Sequence, residues 1–234
     1  FSPLLSVWML SFLVDRRQFV KIGCSVSDVC VTNAGAPQGT RAGPNDFKVI
    51  INDLCFEYPY IKYVDDVTVA AVSTDPRINN MQLVADKLIQ WCTDNHMHLN
   101  TSKTKEMVIY FGKQYSKSEL VYTRIADSNI ERVETFKLLG VIFSSDLTWK
   151  AHVEYIISKA SKRIFVVYQL VRSGLSAGDV ISVYISLIRS ILEYACPVWH
   201  CGITKGQSDE IEGVQRRCLR IVYPELSYSD SLQI

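Results

Sequence analysis

The chain has 234 residues, 48% of them hydrophobic and 21% charged, so it can bury a sizeable core and is neither a disordered tail nor a fibre. Lys and Arg number 25 against 24 Asp and Glu, a formal charge of +1. That balance excludes a globally basic nucleic-acid binder and confines any such contact to local patches.

The elements follow in chain order. Phe1 to Val14 is apolar but too short to span a bilayer. It has no basic leader or small-residue cleavage site, so no signal peptide is expected, and the chain reads as a piece of something longer at both ends. A helix is expected from Leu5 to Val14, then short strands at Gln18 to Ile22 and Val29 to Asn33. Pro44 suits a first helical position, with Phe47, Ile50, Ile51 and Leu54 following at helical spacing. Met81, Val84, Ala85, Leu88, Ile89 and Cys92 form a stripe of period 3.6, which predicts a helix from Ile78 to Asn95. Strands are expected at Glu106 to Phe111 and Glu119 to Ile125, and Thr135 to Phe143 reads as another strand pair or as a bend around Gly140.

Beyond Asp146 the pattern is helical throughout. Val153, Ile156, Ile157, Ala160, Ile164, Val167 and Val171 share one face, and Gly174 suits the stop. A second stripe runs from Val180 to Ile191 and ends by Pro197; a third runs from Ile211 to Ile221 and ends at Pro224. The composition change near Ser145 predicts a mixed α+β domain over 1–145 and an all-helical one over 146–234. No internal repeat or low-complexity tract occurs. The seven cysteines show no CxxC pair or zinc-finger spacing and read as reduced, buried thiols of an intracellular protein. Cys196, His200 and Cys201 lie close together, but no fourth ligand accompanies them, and packing is the better reading.

The most informative segment is Tyr63-Val64-Asp65-Asp66. Apolar β-formers flank two adjacent carboxylates, which predicts two short strands with the acids as the tight turn between them. Two such charges about 5 Å apart repel by roughly 3 kcal/mol at an effective dielectric of about 20. A hard divalent cation relieves that repulsion and prefers carboxylate oxygens. Asp-Asp pairs are also common in solvated surface turns, so the surrounding segments must decide.

Read together, those segments resemble a known family. Ala36-Pro37-Gln38-Gly39-Thr40 with Gly43-Pro44 and Ile51-Asn52-Asp53-Leu54 resembles the PQGT, GP and INDL block of reverse transcriptases, and Tyr63-Val64-Asp65-Asp66 their YxDD box. Leu99-Asn100 with Lys103-Thr104-Lys105 is similar to the LN-x-x-KTK block, and Phe136 to Val141, followed by Trp149 and His152, to the FKYLGV segment and its Trp-x-x-His element. Order and spacing match the non-LTR (LINE-type) retrotransposon reverse transcriptases. Further similar stretches are Ser11 to Leu13 with Arg16 to Gln18, Ser190 to Tyr194 with Trp199 and His200, and Ile211 and Glu212 with Gln215 to Arg217, so the resemblance covers nearly the whole chain.

The resemblance implies a partial palm, an antiparallel sheet with packed helices, followed by an all-helical thumb and C-terminal region. It implies RNA-templated DNA synthesis from deoxynucleoside triphosphates and a primer 3′-hydroxyl, with Mg²⁺ (or Mn²⁺) as cofactor. Two-metal chemistry needs carboxylates on a rigid element with open positions for phosphate. Asp65 then becomes the principal metal ligand and catalytic residue, and Asp66 the accessory one. Pro37, Gln38, Gly39 and Tyr63 would border template and nucleotide, and Lys103 the triphosphate. Leu138, Leu139 and Gly140 would form the primer grip. Lys150 to Arg172 holds five basic residues and one acid. Lys159 and Lys162 project away from its apolar stripe, toward a nucleic-acid backbone.

The chain departs from the family in lacking the F-x-D-x-x-x-AFD stretch that supplies another metal-binding aspartate; in the family this precedes the segment beginning at Phe1. Ala36 replaces the usual valine and Asn45-Asp46 an apolar pair. The chain alone is therefore expected to be inactive, with a non-catalytic nucleic-acid-binding remnant as the alternative. No membrane partner is expected. The parent should act inside the cell, at nuclear DNA, although no targeting signal is visible.

Overall fold

A computed structural model describes residues 2–33, 39–40, 43–75, 78–111, 121–125 and 128–233. The chain packs as two compact units, Phe1–Val72 and Ser73–Ile234. The composition change near Ser145 falls inside the second.

In the first unit, helix α1 (Pro3–Leu13) starts where the Ser2 hydroxyl accepts the Leu5 N–H at 3.3 Å, with proline in the first turn. None of its residues is buried. Strand β1 (Arg16–Gln18) pairs antiparallel with β4 (Cys30–Thr32), and β2 (Lys21–Ile22) with β3 (Ser25–Val26) between them. The single strand expected over Gln18 to Ile22 is thus split. Gly23, at φ 60°, turns the chain back, and Ser27 meets Val20 through its hydroxyl and its N–H. Helix α2 (Gly43–Ile51) precedes a hairpin of β5 (Tyr60–Tyr63) and β6 (Asp66–Val69).

The second unit opens with α3 (Asn80–Asp94). Asn79 caps it by accepting the Met81 N–H at 3.0 Å, so the helix begins two residues later than the apolar stripe suggested. Val84, Ala85 and Cys92 of that stripe are buried. Strands β7 (Lys105–Glu106), β8 (Arg124–Ile125), β9 (Ser128–Asn129) and β10 (Glu131–Arg132) form two ladders, β7 with β10 parallel and β8 with β9 antiparallel. The strands expected over Glu106 to Phe111 and Glu119 to Ile125 are correspondingly shorter; Glu119 and Leu120 lie outside the described residues. Strands β11 (Thr135–Leu138) and β12 (Val141–Ser144) pair antiparallel around Gly140, which decides for the strand pair over a bend.

From Lys150 the chain is helical: α4 (Lys150–Ser161), α5 (Ile164–Arg172), α6 (Ala177–Tyr184), a π-helical turn (Ile185–Arg189), α7 (Ser190–Leu192), α8 (Cys196–Trp199), α9 (Lys205–Val222) and α10 (Tyr228–Ser231). Helix α5 ends in a Schellman turn: Gly174, at φ 80°, donates its N–H to Val171 O and Leu175 donates to Leu170 O. The stripe expected on one face is broken between α4 and α5, where Arg163 turns inward and donates to Leu187 O at 2.9 Å. Ala160, Val167, Val180, Ile188, Val214 and Cys218 are all at 0% exposure and centre the helical core.

Helix and strand are mixed, as an α+β class requires. The expected antiparallel sheet is not assembled: among the described residues every ladder has two strands, and one is parallel. The strands are two to four residues long. In the β5–β6 hairpin Ile61 is 70% exposed, so among the described residues of the first unit that face of the ladder is left open.

Candidate active site

Register fixes the acidic turn. Tyr63 pairs with Asp66, which leaves Val64 and Asp65 as a two-residue loop. The acids therefore divide between turn and strand: Asp65 is in the loop, and Asp66 is the first residue of β6. Both are exposed, as is Tyr63. Val64 has φ 54°, a left-handed conformation that is an outlier for a β-branched side chain and costs about 1–3 kcal/mol. Strain of this kind persists where surrounding structure over-determines it.

Lys62, which the sequence reading passed over, provides part of that structure. Its ammonium donates to the carbonyls of Ile51 at 2.8 Å, Asn52 at 3.2 Å and Leu54 at 2.9 Å. These lie at and just past the end of α2, where helical carbonyls lack partners and a cation is favoured. Alternation along β5 turns Tyr60 and Lys62 inward and Ile61 and Tyr63 outward. The lysine thereby ties the INDL segment to the acidic hairpin. Its signal was its position, one residue before Tyr63 on the covered face of a strand.

Upstream, Gly39 has φ 76°, and a Cβ placed there would meet nothing within 4 Å, so the backbone is open to approach. Thr40 accepts the Gly43 N–H at 3.1 Å at the start of α2. Pro37 and Gln38 lie outside the described residues.

The other expected residues belong to the second unit. Lys103 is exposed in a loop shaped by Asn100, whose Oδ1 accepts from the Lys103 N–H at 3.2 Å and the Ser102 hydroxyl at 2.7 Å. Leu139 and Gly140 form the β11–β12 turn with φ 47° and 91°. Lys159 and Lys162 are exposed, while Val153, Ile156 and Ala160 on the opposite face of α4 are buried. Buried His152 accepts the Ile142 N–H through Nδ1 at 3.3 Å, which places its proton on Nε2. Burial lowers its pKa below the usual imidazole value. Trp149 and Trp199 flank it edge to face at 6.3 and 5.3 Å.

Among the described residues no group of three or more His, Cys, Asp and Glu could hold a metal. The donors that the YVDD turn offers are two exposed carboxylates. That set fits Mg²⁺, which is commonly held by one or two carboxylates with substrate phosphates and water completing its octahedron. The run Ala177–Gly202 has the length and hydropathy of a membrane-crossing helix, 26 residues at 1.3. Even so, Val180, Tyr184 and Ile188 on it are buried in the helical core, and Ala195 breaks it at φ 51°.

Residues 3–143, spanning both PQGT and YVDD blocks, match the reverse transcriptase (RNA-dependent DNA polymerase) family, and the chain belongs to that family. Among curated relatives, the "RNA-directed DNA polymerase from mobile element jockey" of Drosophila melanogaster is 23% identical over 94% of this chain and 25% of its own length. The "Probable RNA-directed DNA polymerase from transposon X-element" of the same species is 23% identical over 91% of this chain and 24% of its own. The jockey polymerase of Drosophila funebris is 24% identical over 94% and 25%. The chain thus spans about a quarter of the length of the relatives it matches. No solved structure matches it.

Proposed function

We propose that this chain is the palm and thumb portion of a non-LTR retrotransposon reverse transcriptase that extends a DNA 3′-end along an RNA template. The supporting observation is the YVDD hairpin. A strained two-residue loop, backed by Lys62, leaves Asp65 and Asp66 open to solvent at the end of a ladder. Asp65 and Asp66 would hold divalent magnesium, which supplies Lewis-acid stabilisation of phosphoryl oxygens when bound. Gly39, Gln38, Pro37 and Tyr63 border template and nucleotide, and Lys103 neutralises phosphate charge. Leu138, Leu139 and Gly140 grip the primer. Lys159 and Lys162 follow the nucleic-acid backbone, where each cation adds a salt-dependent increment of affinity. Residues 1–145 form the palm portion and 146–234 the helical thumb and its extension. The parent element acts at nuclear DNA.

The 234-residue chain alone does not extend a primer, because a further aspartate belongs to the metal site. The test uses Fe²⁺ as a cleaving surrogate for Mg²⁺. Ascorbate-driven cleavage is expected between Tyr63 and Asp66, and Asp65→Asn abolishes it. Uncut protein at millimolar Fe²⁺, with an RNA–DNA hybrid still bound, would instead support a non-catalytic nucleic-acid-binding remnant. Primer extension by the purified chain, lost in Asp65→Asn, would refute the requirement for a further aspartate.

A further inference from the structure

We infer that Tyr194 is a positioning residue for the primer terminus: it sets the conformation of the Leu139–Gly140 turn from the helical region of the chain. The inference rests on reading Leu138, Leu139 and Gly140 as the primer grip.

Three observations converge on this turn. Both of its residues are left-handed, at φ 47° and 91°, the geometry of a primed two-residue hairpin loop. Glycine adopts it freely; leucine does not and needs an external hold. The Tyr194 hydroxyl donates to Leu139 O at 2.9 Å and supplies that hold. The tyrosine ring also occupies the space beside Gly140, since a Cβ there would lie 2.8 Å from its Cε1. Glycine at 140 therefore answers both the backbone and the close approach of Tyr194.

Tyr194 is itself anchored. Its carbonyl accepts the Trp199 indole N–H at 2.9 Å, and Trp199 is 1% exposed in the helical core. Trp199 meets His152 edge to face, and His152 accepts the Ile142 N–H of β12. The hairpin is thus held at its tip by Tyr194 and along its second strand by His152, and both bear on one buried tryptophan. Yet Leu139 is 43% exposed and Tyr194 52%. A contact so open to water adds little to a core, and its consequence is the aim of a turn whose leucine stays exposed among the described residues.

The purified chain carrying Tyr194→Phe tests this, because the variant keeps the ring and loses only the hydroxyl. Two measurements are made: amide hydrogen exchange over Leu139–Val141, and fluorescence anisotropy with two RNA–DNA hybrids, one with a recessed DNA 3′-end and one blunt. Loss of one hydrogen bond is expected to speed exchange at the turn by about three- to tenfold. The same loss should weaken binding of the recessed hybrid by about three- to tenfold and leave the blunt hybrid unchanged. Unchanged exchange overturns the inference. Faster exchange with unchanged recessed-end binding also overturns it, because the hold is then structural only. A wild-type chain that does not prefer the recessed end removes the primer-grip reading and this role with it; the exchange data then show whether the contact itself exists. Tyr194→Leu, which keeps an apolar side chain but loses ring and hydroxyl, should reproduce both changes.

Discussion

His152 makes the helical region sensitive to acid, and the sign follows from its surroundings. The imidazole is fully buried, Nδ1 is engaged by the Ile142 N–H, and burial lowers its pKa from 6.5. In the folded protein it is neutral; in the unfolded chain it gains a proton below about pH 6.5. Below that pH the unfolded state binds more protons, so stability falls as pH falls. The contribution is complete above pH 6.5 and is lost toward the lowered folded value. One proton sets the magnitude at up to about 1.4 kcal/mol for each pH unit below 6.5, until the folded imidazole itself protonates. The perturbation is His152→Gln, which keeps an acceptor for Ile142 but does not titrate. Urea denaturation of wild type and variant between pH 7.5 and 5.5 yields a difference curve in which groups remote from residue 152 cancel. The wild-type advantage should shrink with acidification. A flat difference, or one that grows toward pH 5.5, would refute the assignment of a neutral buried imidazole.

Three further outcomes are expected. Lys62→Met strips three backbone acceptors of a charged donor and should destabilise the first unit by about 2 kcal/mol, with Lys62→Arg recovering part, by chemical denaturation. Ile188→Ala removes three carbons from a site at 0% exposure and should cost about 3 kcal/mol in urea, more than Lys159→Ala at an exposed helix position. Glu106→Gln deprives Arg132 of its carboxylate, where the two side chains are 11% and 18% exposed; a loss of about 2 kcal/mol is expected, reversed in part by Arg132→Met in the same chain.

The sequence made the helices legible because their stripes are long. The period over Met81 to Cys92 led to α3, and the cap at Asn79 decided only its start. The strands were legible where a turn accompanied them. Tyr63-Val64-Asp65-Asp66 and Leu138 to Val141 both form hairpins because each has a two-residue loop with matched flanks. Glu106 to Phe111 has the β-propensity, yet among the described residues only its first residue, with Lys105, joins a ladder, held parallel to β10 by long-range pairing that no local pattern encodes. The α4–α5 break was hidden in an unbroken apolar face, since its visible device is Arg163 reaching Leu187, 24 residues away. At the site, the carboxylates were evident from residue type. Lys62 was not, because its partners are main-chain oxygens, which carry no signature of their own.

That choice of partners shapes how the hairpin can drift over time. Lys62 recognises where the chain goes at residues 51, 52 and 54, and is indifferent to what side chains stand there. Exposed Asn52 can be exchanged without cost to this contact provided the trace is kept, while Ile51 and Leu54 are constrained by their own burial and the ammonium has few replacements of equal reach. A decaying copy of such an element would therefore lose this joint by a single change at position 62, whereas changes at its acceptors reach the joint only through the trace they set.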